Sequence, residues 1–208
     1  MEFIKLLIVS VVAYFIGTIT TGDIVAKIKG VDLRNSGSGN IGATNVFRVL
    51  GTVYGALVLV CDSLKGIIAV LLGEYLLRPM GGFNPAILTG VLAIVGHNWP
   101  IHSGFKGGKG IATSLGVMIG LTPYSLVVAL PVWLVFFFCS GYVSLASILA
   151  AISYPISVFI FYQDDPSRQI FAIAVGILAI YRHHTNIKRL FRGEENRILY
   201  KNRGGAKK

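Results

Sequence analysis

Seven apolar runs, separated by short polar segments, most constrain what this chain can fold into. They lie at about Phe3 to Thr21, Val53 to Leu77, Pro85 to Trp99, Gly110 to Leu121, Tyr124 to Cys139, Tyr142 to Tyr162 and Gln169 to Tyr181. A helix of about 20 apolar residues crosses the hydrocarbon core of a bilayer. Backbone in lipid must satisfy its own hydrogen bonds, so such runs become helices. Of the 208 residues, 54% are hydrophobic and only 13% are charged. That is too apolar for an ordinary soluble domain. The expectation is an all-α, polytopic integral membrane protein with about seven transmembrane helices, in one membrane domain over residues 1–208. The third and fourth runs are short, and read as half-helices or tilted elements covered by their neighbours.

The net charge of +10 invites a nucleic-acid reading, but its distribution argues against one. Nine of the 19 Lys and Arg residues lie between Arg182 and Lys208. Most others sit in two polar segments. This is the positive-inside pattern of cytoplasmic loops. It places the C-terminus inside and, with seven spans, the N-terminus outside. The same alternation gathers fifteen of the 19 basic residues on the cytoplasmic side. Three motif-bearing segments share that side: residues 33–51, 96–113 and 181–192, with a basic tail over 193–208. Cys61 and Cys139 fall in apolar runs and read as core residues, not as a disulfide.

The middle segment carries the strongest motif, Gly104-Phe105-Lys106-Gly107-Gly108-Lys109-Gly110, running straight into an apolar helix. Glycines let backbone approach a ligand, and a helix start points its positive dipole end at an anion. Lys106, Gly107, Gly108, Lys109 and Gly110 are therefore candidate phosphate-binding residues. The spacing is not that of a nucleotide-binding loop. His97 and Asn98, just upstream, can orient this turn. The first segment, Gly37-Ser38-Gly39-Asn40-Ile41-Gly42-Ala43-Thr44-Asn45 with Arg48, interleaves glycines with hydroxyl and amide groups. Arg48 supplies a planar fork for phosphate oxygens. Alone, this segment reads equally as a flexible loop. In the third segment His183 and Asn186 share a face if the last helix continues. Inside the second span, Asp62 and Lys65 stand three apart, as expected of a buried ion pair bracing a site.

Several chemistries lack their usual signatures. There is no acidic cluster to hold magnesium, no Cys/His spacing for zinc and no Gly-x-Ser-x-Gly elbow. No histidine is separated by four residues from an aspartate, as in the common glycerolipid acyltransferases that use acyl-CoA. The residues alone leave open an enzyme acting on a phosphorylated lipid precursor, a carrier of a phosphorylated anion, and a lipid-binding scaffold.

Together the three segments resemble the bacterial acyl-phosphate:glycerol-3-phosphate acyltransferases. The resemblance rests on Gly37 to Asn45 with Arg48, on Gly96-His97-Asn98 with Phe105 to Gly110, and on Tyr181-Arg182-His183 with Asn186-Ile187. The stretch Asp62 to Gly66 also fits, while His184 stands where arginine is expected. The resemblance implies a multi-pass enzyme of the bacterial inner membrane with seven spans and a cytoplasmic-side active site. It implies acyl transfer from acyl phosphate to the 1-hydroxyl of glycerol 3-phosphate, giving lysophosphatidic acid and phosphate. Ser38, Arg48, His183 and Asn186 are then the catalytic candidates, with Lys106 to Gly110 on the glycerol 3-phosphate phosphate. Asn40, Thr44, Asn45, His97, Asn98, Asp62 and Lys65 support them. No cofactor, metal, nucleic acid or obligate protein partner is implied; membrane lipids surround the chain.

Overall fold

A computed structural model describes residues 1–77, 79 and 84–199. Arg78, the residues 80–83 between the second and third apolar runs, and the end of the basic tail from Tyr200 to Lys208 lie outside the described residues. Among those described the regular secondary structure is helical, with no strand. The helices are α1 (Glu2–Thr18), α2 (Thr21–Ile28), α3 (Ala43–Leu50), α4 (Thr52–Leu76), α5 (Pro85–Asn98), α6 (Ile111–Leu121), α7 (Leu126–Ser140), α8 (Val143–Phe161), α9 (Pro166–Arg182) and α10 (His184–Phe191). Single 3-10 turns at Ile101–Ser103 and Pro123–Ser125 lead towards α6 and into α7.

Among the described residues three helices are long and apolar enough to cross a membrane: α4, α8, and α7 with its leading turn. Two bent pairs, α1 with α2 and α9 with α10, raise the number to five. The turns follow from local chemistry. Asn84 and Asp165 cap α5 and α9, accepting from Ala86 N at 2.9 Å and Arg168 N at 3.0 Å. Each is followed by proline at the first helical position, where no N–H is missed. Gly141 takes a left-handed φ of 75° and turns α7 back into α8.

The polar segment of residues 23–51 is more ordered than a flexible loop. It contains most of α2 and all of α3, which seat Val25, Leu33 and Val46 against Val58 of α4. A larger apolar cluster fills the space between α4, α5, α6, α8 and α9, with Val70, Ile94, Val117, Tyr154 and Phe171 at its centre. The outer faces are apolar as well: Val53, Val127 and Ile170 are exposed. Without water to drive helices together, close backbone packing does that work in a membrane. Cys139 is exposed and Cys61 half-buried, so neither is a core residue. Both are free thiols.

Glycines set the closest approaches. A side chain on Gly116 of α6 would strike the backbone of Ser63 in α4, and one on Gly66 would strike that of Thr113. Gly17 and Gly96 do the same for α1 against α5. Gly116→Ala should therefore push α4 from α6. Overpacking typically costs about 1–3 kcal/mol, so the thermal midpoint of the purified protein in detergent should drop by several degrees. An unchanged midpoint would show that this contact does not limit stability.

Candidate active site

The site is built around a buried ammonium. Lys65 Nζ lies 2.9 Å from Asp62 Oδ1, 2.8 Å from the carbonyl oxygen of Ile19 and 2.8 Å from His97 Nδ1. The expected pair is present, and it ties α4 to the end of α1 and to α5. An ammonium has three donors and no acceptor. All three are used, so His97 Nδ1 must accept. The ring proton of His97 then sits on Nε2, which faces Gly108 closely enough that a side chain there would strike it. Thr21 Oγ1 donates to the same Asp62 oxygen at 3.2 Å.

In the first segment the buried Asn45 acts as a staple. Its Oδ1 accepts from Ser38 N at 2.7 Å, and its Nδ2 donates to the carbonyls of Ser36 at 2.9 Å and Leu33 at 3.2 Å. Gly37, at φ 62°, lets the chain pass over this amide where a side chain would collide with Oδ1. Asn40 Oδ1 accepts from Gly42 N at 2.8 Å, just before α3 starts. The outcome is that Ser38, Asn40, Thr44, Asn45 and Arg48 all stand on one wall.

The glycine–lysine turn packs differently from a simple phosphate cradle. Gly107 N donates to Asn98 O at 3.2 Å and Gly108 N to His97 O at 3.1 Å, so the turn satisfies the last carbonyls of α5. The carbonyls of Gly107 and Gly108 accept from Arg182 Nη2 at 3.3 and 2.6 Å. Arg182 also stacks on Trp99, 5.1 Å from the ring centre. Lys106 is exposed. Lys109 and Gly110 face inward, and the first turn of α6 presents N–H groups without intrahelical partners. Burial, followed by the charges of Arg189, Arg48 and Arg182, pushes Lys109 down to about 8, while Glu195 opposes the shift.

The third segment does not continue as one straight helix. The chain bends by 56° between α9 and α10, with His183 at the joint. His183 and Asn186 are nonetheless both buried on the same wall. His183 Nδ1 lies 2.7 Å from Ala179 O, which can only accept. The proton of a neutral ring is thus on Nδ1, and Nε2 is left as the acceptor. Asn186 Nδ2 donates to Glu195 at 2.8 Å, and its Oδ1 has no partner among the described residues.

These walls enclose a cavity of about 550 Å³. It collects Ser38, Asn40, Thr44, Asn45, Arg48, Asp62, His97, Lys109, Gly110, His183 and Asn186 at one end. Lys65, Asn98, Lys106, Gly107 and Gly108 lie outside its lining. Its apolar lining comes from α3 and α4 as well as from α6, α7, α8 and α9.

The family model described as glycerol-3-phosphate acyltransferase matches residues 7–193. The chain belongs to the glycerol-3-phosphate acyltransferase family. A glycerol-3-phosphate acyltransferase of Aquifex aeolicus (strain VF5) is 47% identical over 197 residues, covering 93% of this chain and 100% of that protein. One from Desulforudis audaxviator (strain MP104C) is 43% identical, covering 97% of this chain and 100% of that protein. A crystal structure of PlsY, described as an integral membrane glycerol 3-phosphate acyltransferase in its glycerol 3-phosphate form, aligns with a TM-score of 0.86 and 44% identity. It covers 94% of this chain and 96% of that one. A second PlsY structure, in its lysophosphatidic acid form, aligns with a TM-score of 0.82 at 44% identity, over 92% of this chain and 94% of that one. The chain is accordingly an integral membrane acyltransferase of this family, and the carrier and scaffold readings fall away.

Sequence reasoning missed one member of this acyltransferase's cavity, Glu195. In the sequence it lies within a basic tail, where charge alone gives no sign of a buried carboxylate. The tail's described part, residues 193–199, instead folds back: Ile198 N donates to Gly141 O at 2.9 Å, and Arg197 stacks on Tyr142. Glu195 is buried and accepts from Ser144 Oγ at 2.9 Å, Asn186 Nδ2 at 2.8 Å and Arg189 Nε at 2.9 Å. The neighbouring Asn196 carbonyl holds Arg48 Nη2 at 2.9 Å. The available signal was Glu194-Glu195, an acidic pair amid nine basic residues.

The buried pair makes a sharp stability prediction. Lys65→Met leaves the Asp62 carboxylate buried and unpaired, which should cost about 3–5 kcal/mol. Adding Asp62→Leu should restore most of the loss, read as thermal midpoints of the three proteins. A double variant as unstable as the single one would show that Lys65 is held for another reason.

Proposed function

We propose that this protein transfers a fatty acyl group from acyl phosphate to the 1-hydroxyl of glycerol 3-phosphate, giving lysophosphatidic acid and phosphate. The observation that carries the reading is the cavity itself, cationic at one end and apolar along the rest. That shape suits a reaction joining a small phosphorylated polyol to a long chain. The PlsY structures with glycerol 3-phosphate and with lysophosphatidic acid support the acceptor and the product.

Acyl phosphate is a mixed anhydride with a good leaving group, so the acceptor can attack directly. The glycerol oxygen bonds to the acyl carbon, the bond from that carbon to the phosphate-bearing oxygen breaks, and phosphate leaves with the electron pair. The enzyme's contribution is to hold two anions together in register. Lys109, Gly110 and the start of α6 bind one phosphate, that of glycerol 3-phosphate, with Lys106 lending charge from outside. The N–H groups of Gly107 and Gly108 shape the turn instead. Arg48 and Ser38 hold the other phosphate and stabilise charge as it departs. Asn186 Oδ1 and His183 Nε2 position the hydroxyl. Its proton goes to His183 Nε2 or to an oxygen of the leaving phosphate. Asn40, Thr44, Asn45, His97, Asn98, Asp62 and Lys65 hold these groups in place.

The same reading gives seven crossings in a bacterial inner membrane, with the N-terminus outside and the cavity's polar end on the cytoplasmic side. On that topology fifteen of the 19 basic residues fall on the cytoplasmic side, as the positive-inside rule expects. α5 and α6, of 14 and 11 residues, are too short to cross alone and do so with their flanking turns. They are covered by α4, as short elements at depth must be.

Purified protein given palmitoyl phosphate and glycerol 3-phosphate should release lysophosphatidic acid and phosphate, and palmitoyl-CoA should give none. Product from palmitoyl-CoA alone would overturn the donor. Arg48→Ala should lower kcat/KM on the order of a thousandfold; near-normal turnover would move the site elsewhere.

A pH profile tests Lys109 separately. Its ammonium is the binding form, and it is lost as pH rises through about 8. The value of kcat/KM for glycerol 3-phosphate should therefore fall above that pH, since this ratio reports the free enzyme. Lys109→Arg should move the alkaline limb upward. A limb that stays in place would assign it to another group.

A further inference from the structure

The apolar part of the cavity has a floor. Its lining runs from Gly110, Phe137, Ser144 and His183 to Met118 on α6, Leu126 on α7, Tyr154 on α8 and Val175 on α9, and these last four pack into one apolar cluster. On α8 the lining residues after Val143 are small, Ser144, Ser147, Ala150 and Ala151, until the stripe meets Tyr154. Tyr154 is 2% exposed, and its hydroxyl lies 2.9 Å from Thr122 Oγ1, itself fully buried. Behind it the ring meets Phe171 edge-on, with centroids 6.4 Å apart. The ring is held from two sides and cannot swing away without leaving a buried hydroxyl unpaired.

The depth is informative. Ten residues of α8 separate Ser144 from Tyr154, a rise of about 15 Å. That is half of a bilayer's hydrocarbon core of about 30 Å, and so the depth of one acyl chain. Resting on the acyl-transfer reading above, we infer that Tyr154 is the floor against which the terminal methyl of the acyl chain lodges, and that it sets the longest chain accepted. Each methylene that fits changes affinity about fourfold, and one that does not fit gains nothing.

The test compares lauroyl, palmitoyl and arachidoyl phosphate as donors to the purified full-length protein at saturating glycerol 3-phosphate. Tyr154→Ala should raise the kcat/KM ratio of arachidoyl to palmitoyl phosphate by at least about tenfold, the worth of two methylenes. Tyr154→Phe keeps the floor and should leave that ratio as in the parent. Ala151→Leu, about one turn nearer the polar end, should shift preference from palmitoyl towards lauroyl phosphate by a similar factor. A purely structural Tyr154 would lower turnover with every donor and leave the ratios alone. Unchanged ratios in an active Tyr154→Ala protein overturn the inference. If that variant does not fold, unchanged ratios in Ala151→Leu overturn it. A parent protein that uses none of the three donors would instead defeat the acyl-transfer reading.

Discussion

An ammonium buried in a membrane protein must spend its three hydrogens on protein acceptors, because no water is there to take them. Lys65 does this with a carboxylate of α4, the backbone carbonyl of Ile19 just beyond α1 and an imidazole of α5. The consequence is geometric. The end of α1 is fixed because Ile19 O is an acceptor there, and α2 and the first segment begin just beyond it. The end of α5 is fixed because His97 is an acceptor there, and the glycine–lysine turn hangs from the same residues. One buried charge thus sets the relative position of two of the three polar segments. A hydrophobic substitute could fill the space but could not impose that three-way register.

The third segment is fixed by a second buried charge of opposite sign. Glu195 takes hydrogens from Ser144 of α8, Asn186 of α10 and Arg189 of α10. It also lies close enough to oppose the loss of charge on Lys109. A half-buried cluster of Lys109, Arg48, Arg182 and Arg189 with no carboxylate between them would repel itself. The single carboxylate holds it together and leaves an excess of positive charge for anionic ligands. The backbone beside Glu195 supplies the acceptor for Arg48, so the folded-back tail orients the guanidinium as well as offsetting its charge.

Much of this was legible in the sequence, for reasons that differ by feature. The long apolar runs were readable because lipid leaves the backbone one economical choice, and α4 and α8 match their expected bounds to within a residue or two. The Asp62–Lys65 pair was readable because charge within such a run has few alternatives to pairing. The roles of Gly107 and Gly108 were not. A glycine that lets a ligand approach and one that lets a helix end approach look alike in sequence, and here the N–H groups went to α5. The break at His183 was hidden because nothing local forbids the helix from continuing. Glu195 was hidden because its partners lie up to 51 residues away, and charge counting saw only a basic tail.

The two buried histidines show how the frame separates chemical roles that identical side chains could confuse. His97 receives a hydrogen at Nδ1 from Lys65, so its Nε2 is a donor. His183 gives a hydrogen from Nδ1 to Ala179 O, so its Nε2 is an acceptor. One ring can therefore only offer a hydrogen towards the glycine turn, and the other can only take one from whatever lies beside Asn186. On the proposed reaction that division is what the chemistry needs. A fixed donor suits a ring that braces the glycine–lysine turn and takes no part in proton transfer. A fixed acceptor suits a hydroxyl whose proton must leave as its oxygen attacks. Neither ring needs to change partner during turnover, because each tautomer is set by a group of the fold rather than by the substrate.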